Sequence, residues 1–146
     1  DIENAIISNL EKFLLEMGKG FSFVERQMHV KTETQDFFID LVFYNYILKC
    51  FVLIDLKKGG LKHQDIGQMD RMFDLLKKND DDNPTIGIIF CADKDESIVK
   101  YSVLNESRQI FASRYKTVLP TEEELGAELD RNRRFLEEKY GKKLIE

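Results

Sequence analysis

The sequence predicts an α/β fold, in which a mixed central β-sheet (an antiparallel meander plus one inner strand) is flanked by helices. Three observations predict it. Residues 2–17 place Ile6, Leu10, Phe13, Leu14 and Met17 at helical spacing. Three runs rich in aromatic and β-branched residues then follow, at 21–31, 36–44 and 49–57. Further on, Thr85 to Ala92 is nearly all apolar, the composition of a strand buried on both faces.

Each element has a local reason. Gly18 and Gly20 end the first helix, with Lys19 near the negative end of its dipole. Phe21 to Lys31 is the first strand. The next two are expected as a hairpin with Asn45 to Leu48 as its loop and Tyr44 opposite Lys49. Alternation then puts Phe37, Ile39, Leu41 and Phe43 beside Cys50, Val52, Ile54 and Leu56 on one wholly apolar face. The other face carries Asp40, Asp55 and Lys57 among Phe38, Val42, Phe51 and Leu53. Gly59-Gly60 breaks the third strand. Residues 64–78 read as a helix with Met69, Met72, Phe73 and Leu76 on one side, and 79–84 as a polar turn. A short helix is expected from Asp95 to about Asn105, with acids in its first turn, and a last short strand from Gln109 to Tyr115. Thr121 and Glu124 form a capping box that starts the final helix. Leu125, Leu129, Leu136 and Tyr140 give it an apolar stripe, and Gly141 can stop it.

A chain of 146 residues, 42% hydrophobic and 34% charged, is expected to be one domain over 1–146, with 121–146 as a C-terminal helical extension. No apolar run approaches the roughly 20 residues of a membrane helix, so no membrane partner is expected. Cys50 and Cys91 fall inside predicted strands and read as reduced, buried thiols of a cytoplasmic protein. The net charge of −5 argues against a strongly basic nucleic-acid platform. It leaves room for an enzyme whose acidic site takes up a cation before a phosphate approaches. The chain does not begin with Met, and is expected to be a fragment of a longer protein.

Two carboxylates and an ammonium on an otherwise greasy surface are costly to desolvate unless they pair or bind a metal. In the expected register Asp40 is the diagonal neighbour of Asp55, at roughly 7–8 Å between backbones. Such carboxylates can converge on one hard cation. A cation there clamps a phosphate and lowers the pKa of a bound water, while Lys57 orients that water or neutralises the transition state. A one-residue slip would carry Asp40 to the far side of the sheet. The plain alternative is an Asp55–Lys57 salt bridge at the sheet end.

Asp40 followed by Asp55-Leu56-Lys57, on the second and third strands after an amphipathic helix, resembles the PD-(D/E)xK nuclease superfamily. Phe37-Phe-Ile-Asp-Leu-Val-Phe-Tyr44, Lys49-Cys-Phe-Val-Leu-Ile-Asp-Leu-Lys57, His63-Gln-Asp-Ile-Gly-Gln-Met69 and Leu119-Pro-Thr-Glu-Glu-Glu-Leu125 are similar to the nuclease domain of YhcG-type bacterial proteins. The resemblance runs from Phe13 to Leu125 and fades beyond about residue 130. It implies a restriction-endonuclease-like core that hydrolyses phosphodiesters with Mg²⁺, for which Mn²⁺ can substitute. By position it implies Asp40 and Asp55 as metal ligands and Lys57 as the catalytic lysine. Glu3 would be an additional acidic ligand, and Gln68 the glutamine that follows the site. It also implies a separate N-terminal helical, nucleic-acid-binding domain as partner. Two departures stand out: Asp55 occupies a position usually held by Glu, and Met72 one where an aromatic is expected.

Other readings accompany these. Glu3 lies in a first helical turn, where the dipole favours any acid. Gln68 beside Gly67 can bond backbone near a helix start. His63 can be a solvated loop residue, His29 shows no obvious partner, and Lys58 and Lys62 can be exposed lysines or contacts to a nucleic-acid backbone. Asp80 to Asp82 reads as a solvated turn. The leading expectation is a metal-dependent nuclease acting on DNA. The alternative is a catalytically weak or inactive nuclease-fold module for nucleic-acid binding or assembly, and a third reading is a homodimer through the final helix.

Overall fold

The computed structural model describes residues 1–31, 33–34, 36–59, 73–74, 79–94, 97–103 and 115–145. Helix α1 spans Ile2–Met17 and strands β1 to β5 span Phe21–Lys31, Asp36–Asn45, Cys50–Lys58, Ile86–Ala92 and Ser97–Val103. A final helix, α2, spans Glu122–Tyr140. The strands form one sheet in the order β1-β2-β3-β4-β5. All neighbours are antiparallel except β3 and β4, which run parallel. This is the mixed α/β architecture of a restriction-endonuclease-like core.

Asp1 caps α1 by accepting from the backbone N–H of Glu3 and Asn4, which satisfies donors the helix leaves orphaned. Its stripe of Ile2, Ile6, Ile7, Leu10 and Leu14 is buried. In α2 the Thr121–Glu124 capping box forms as expected, and Gly141 ends the helix in the left-handed region at φ 63°. Leu125, Leu129 and Leu136 are buried, but Tyr140 is exposed and does not belong to the stripe. Arg133 takes a buried place instead, its guanidinium donating to the Lys94 carbonyl and to Ser97 Oγ. Both helices share the main core with Leu41, Phe43, Cys50, Val52, Ile54, Ile88 and Phe90. A smaller core of Val30, Ile39, Val42, Leu53 and Phe73 lies on the other face of the sheet. Cys50 and Cys91 are both free and buried. Among the described residues no helix is long and apolar enough to cross a membrane.

Four further expectations are corrected. Tyr44 pairs with Phe51, not Lys49, and Asn45 pairs with Cys50. The cause is Asn45, whose Oδ1 accepts from the N–H of Ile47 and Leu48 while its Nδ2 donates to the Lys19 carbonyl. That side chain closes the turn over residues 46–49, with Lys49 left-handed at φ 54°. The slip is of two residues, so the paired residues Leu41 to Asn45 keep their faces. Second, the apolar face is split: Leu41 and Phe43 join the helix-side core, whereas Ile39 lies in the smaller core with Phe37 packed against it.

Third, Ser97–Val103 is a strand, not the short helix expected over 95–105, and pairs along β4 from Ala92↔Ser97 to Ile86↔Val103. The β-branched and aromatic residues Ile98, Val99, Tyr101 and Val103 meet the open edge of β4, and Val99 is buried under the α2 side of the core. Those pairings outweigh the acids that suggested a helix start. Fourth, Tyr115 lies in a short helical turn over 115–118 rather than a strand; the rest of the strand expected over 109–115 lies outside the described residues. Of the helix expected over 64–78, residues 73–74 are described and are helical, with the Phe73 ring edge-on to Phe51 at 5.0 Å.

Candidate functional site

The site begins where the β1–β2 ribbon turns over. Arg26 faces α1, donating to Ser8 Oγ at 2.8 Å and the Asn4 carbonyl at 3.0 Å. Met28, two residues on, packs with the smaller core on the opposite face. Their partners behave alike: Leu41, opposite Arg26, is on the helix side, and Ile39, opposite Met28, is not. Both strands therefore change face at Gln27 and Asp40. Gln27 makes the change possible by adopting φ 55°, a left-handed backbone uncommon for a residue with a Cβ.

The turnover frees the Asp40 side chain from the usual alternation. The β2–β3 pairing ends at Leu41↔Ile54, while β3 continues beside β4 as far as Lys58↔Ala92. In the opening that results, Asp40 Oδ2 accepts the backbone N–H of Leu56 at 2.8 Å. The carboxylate stands in for a strand carbonyl. Its Oδ1 accepts from Gln27 Nε2 at 2.7 Å.

Asp55 projects from the face of β3 opposite Ile54 and Leu56 and is only 6% exposed. Its carboxyl neighbours that of Asp40, whose Oδ2 is bound to the N–H of the next residue, Leu56, and Lys57 Nζ lies 3.0 Å from the Asp55 Oδ2. Burial, and then the negative charge of Asp40, push the Asp55 carboxyl up to about 7, with Lys57 pulling the other way. The Asp55 carboxyl therefore keeps its proton up to near neutrality. The donor set consists of hard oxygens with surplus negative charge, which suits a divalent cation in place of that proton. Mg²⁺ sites commonly use one or two carboxylates and complete the shell with water and phosphate oxygens, so a pair of acids suffices.

The structure thus brings Asp40, Asp55 and Lys57 together. It does not bring Glu3 to them: Glu3 Oε2 lies 3.1 Å from Lys58 Nζ, on the α1 side of the sheet, across β3 from Lys57. Among the described residues no group of three or more His, Cys, Asp and Glu side chains is placed to share a metal. Gln68, His63, Lys62 and Met72 lie outside the described residues. His29 has a partner after all, stacking on Phe38 with ring centroids 4.5 Å apart and its Nε2 3.1 Å from Asp36 Oδ1. In the acidic turn, Asp82 is bound by the Tyr44 hydroxyl and the Asn79 N–H, a structural role. Sequence reasoning missed two groups that hold Asp40. The Leu56 N–H belongs to the backbone and has no sequence signal, and nothing around Gln27 announces a left-handed residue.

The chain is similar to known proteins. A family model described as the YhcG PDDEXK nuclease domain matches residues 1–130. Over 143 residues, 96% of its length, the chain is 37% identical to the Escherichia coli (strain K12) protein named "Putative nuclease YhcG". It spans 38% of that relative's length.

Proposed function

The chain belongs to the YhcG PDDEXK nuclease domain family, and from that premise we propose that it is a Mg²⁺-dependent nuclease hydrolysing phosphodiester bonds in DNA. The observation that carries the reading is the convergence of Asp40, bound to the Leu56 N–H, and the buried Asp55 at one opening of the sheet, with the Lys57 ammonium 3.0 Å from Asp55. Asp40 and Asp55 would hold Mg²⁺, or Mn²⁺ in its place. A bound ion of this kind neutralises charge on phosphate and acidifies a coordinated water.

The residues of the chain do the rest. The Leu56 N–H and Gln27 amide fix the plane of the Asp40 carboxylate and leave it lone pairs for a further partner. Asp55 must lose its proton to serve as a ligand. Lys57, half-exposed at the rim, donates to the attacking water or to a phosphate oxygen and offsets the negative charge that builds on phosphorus. A cytoplasmic setting, a separate N-terminal domain that steers the nuclease onto its substrate, and pairing of two copies through α2 belong to the same reading. Gln68 keeps its proposed catalytic role within it.

Cleavage of supercoiled plasmid with Mg²⁺ or Mn²⁺ tests the reading. Asp40→Ala and Lys57→Ala should each slow it by about 10²- to 10³-fold. Undiminished cleavage by both variants would place the chemistry elsewhere. No cleavage by the wild type, combined with Mn²⁺ heat that Asp55→Asn abolishes, would instead identify a binding module that retains the site without turnover.

A further inference from the structure

We propose that Gln27 is the positioning residue of the acid pair: its left-handed backbone turns the side-chain amide onto Asp40 and holds that carboxylate toward Asp55. The inference rests on the metal-centre reading above and assigns a role that neither the family nor the relative's name supplies.

Among the described residues, two without glycine's freedom have positive φ, Gln27 and Lys49. Lys49 is accounted for by the tight turn it completes between β2 and β3. Gln27 lies inside β1, between the paired residues Arg26 and Met28, where no turn requires it. Gly or Asn would adopt this backbone more readily. Strain of this sort persists where the surroundings over-determine it, and it concentrates at functional sites. What Gln offers that Gly lacks is the amide, and Nε2 donates to Asp40 Oδ1 at 2.7 Å.

The geometry explains why an amide is needed. With the Leu56 N–H on Oδ2 and the Gln27 amide on Oδ1, donors hold Asp40 at both oxygens. Rotation about the Cβ–Cγ bond would break one or the other. Without Gln27, the carboxylate keeps only the Leu56 N–H of these two donors and is free to turn away from Asp55. An amide is also neutral, so it orients Asp40 without competing with a cation for the site, as an ammonium would. Partners of this kind, one step removed from an ion, commonly change metal affinity by about 10- to 100-fold.

The test separates affinity from stability. Mn²⁺ binding to the full chain is measured by isothermal titration, and Tm by thermal denaturation without metal, for wild type, Gln27→Gly, Gln27→Met and Asp55→Asn. Gln27→Gly relieves the backbone while deleting the amide, so its Tm should hold or rise while its Mn²⁺ affinity falls about 10- to 100-fold. Gln27→Met keeps the length and the strain but cannot donate, and should lose affinity to the same degree. Wild-type affinity in either variant would overturn the proposal. So would a loss of affinity matched by a collapse in Tm in both variants, which would mark Gln27 as merely structural. Failure of the underlying reading looks different: wild-type protein would then give no Mn²⁺ heat that Asp55→Asn removes.

Discussion

The two ends of the β2–β3 pairing hold polar side chains to opposite effect. At one end Asn45, fully buried, uses its amide to bind the N–H groups of Ile47 and Leu48 and the carbonyl of Lys19. The amide gives one hydrogen bond and accepts two, and its charge is zero. At the other end Asp40 neighbours the buried Asp55, two acids with one lysine beside them. Hydrogen bonds are plentiful there too, but the charge does not balance. Burying a polar group is tolerable once its bonds are made, whereas burying like charges is tolerable only if something cationic can arrive. The first end is built for stability. The second forgoes stability, which the proposed ion would restore.

Substitutions should separate the two ends. The largest effect is expected from Asp55→Asn, which should abolish Mn²⁺ binding and reduce cleavage by on the order of 10³-fold. Yet above neutral pH it should raise stability by roughly 1 to 2 kcal/mol, because it removes a buried like charge. Denaturant titration alongside the cleavage assay checks both signs. Asn45→Ala should do the reverse. It removes the three hydrogen bonds this buried side chain makes to Lys19, Ile47 and Leu48, at a cost of about 3 kcal/mol, while the rate per folded molecule stays near that of wild type.

The pH dependence sharpens the contrast further. The folded Asp55 carboxyl titrates at about 7, against about 4 in an unfolded chain. Between those values the folded state holds the extra proton. The stability it contributes is full below about pH 4 and is lost as pH rises through 7. Mn²⁺ affinity should climb over the same range, since the ion displaces that proton. Asp55→Asn should flatten the first slope, and a profile unchanged by it would place the titrating group elsewhere. The smallest effect lies far from both ends: Thr121→Ala removes the α2 cap and should cost about 1 kcal/mol with no change in metal binding.

Much of this was legible in the sequence, because alternation and capping are local. The α1 stripe, the three-strand meander, β4 and the Thr121 cap follow from residues close together in the chain. The convergence of Asp40, Asp55 and Lys57 was legible as well, although for an incomplete reason. Strict alternation from Phe37 to Phe43 would have given the right side, but the strands change face at Gln27 and Asp40. The hairpin register slipped by two because the Asn45 side chain chose the turn. Strand β5 was misread because its acidic beginning imitates a helix start, and only the open edge of β4 decides between strand and helix. Glu3 was drawn toward the site by likeness, whereas the structure gives it Lys58 on the α1 side.

The parallel pairing of β3 with β4 bears on how the molecule assembles. Its first partners, Val52 and Ile86, are far apart along the chain, whereas β1, β2 and β3 are joined by short hairpin turns. Closing the long crossover costs more entropy before any contact repays it, and such closures are slow. Gln27, Asp40, Asp55 and Lys57 all belong to the quickly closing part. The expected order is therefore that the acids meet early, while β4 is still unattached, which makes their mutual repulsion a barrier to folding as well as a strain on the finished protein. Refolding kinetics should reveal this as faster folding of Asp55→Asn at pH 8 than of wild type, with the two rates converging at pH 5.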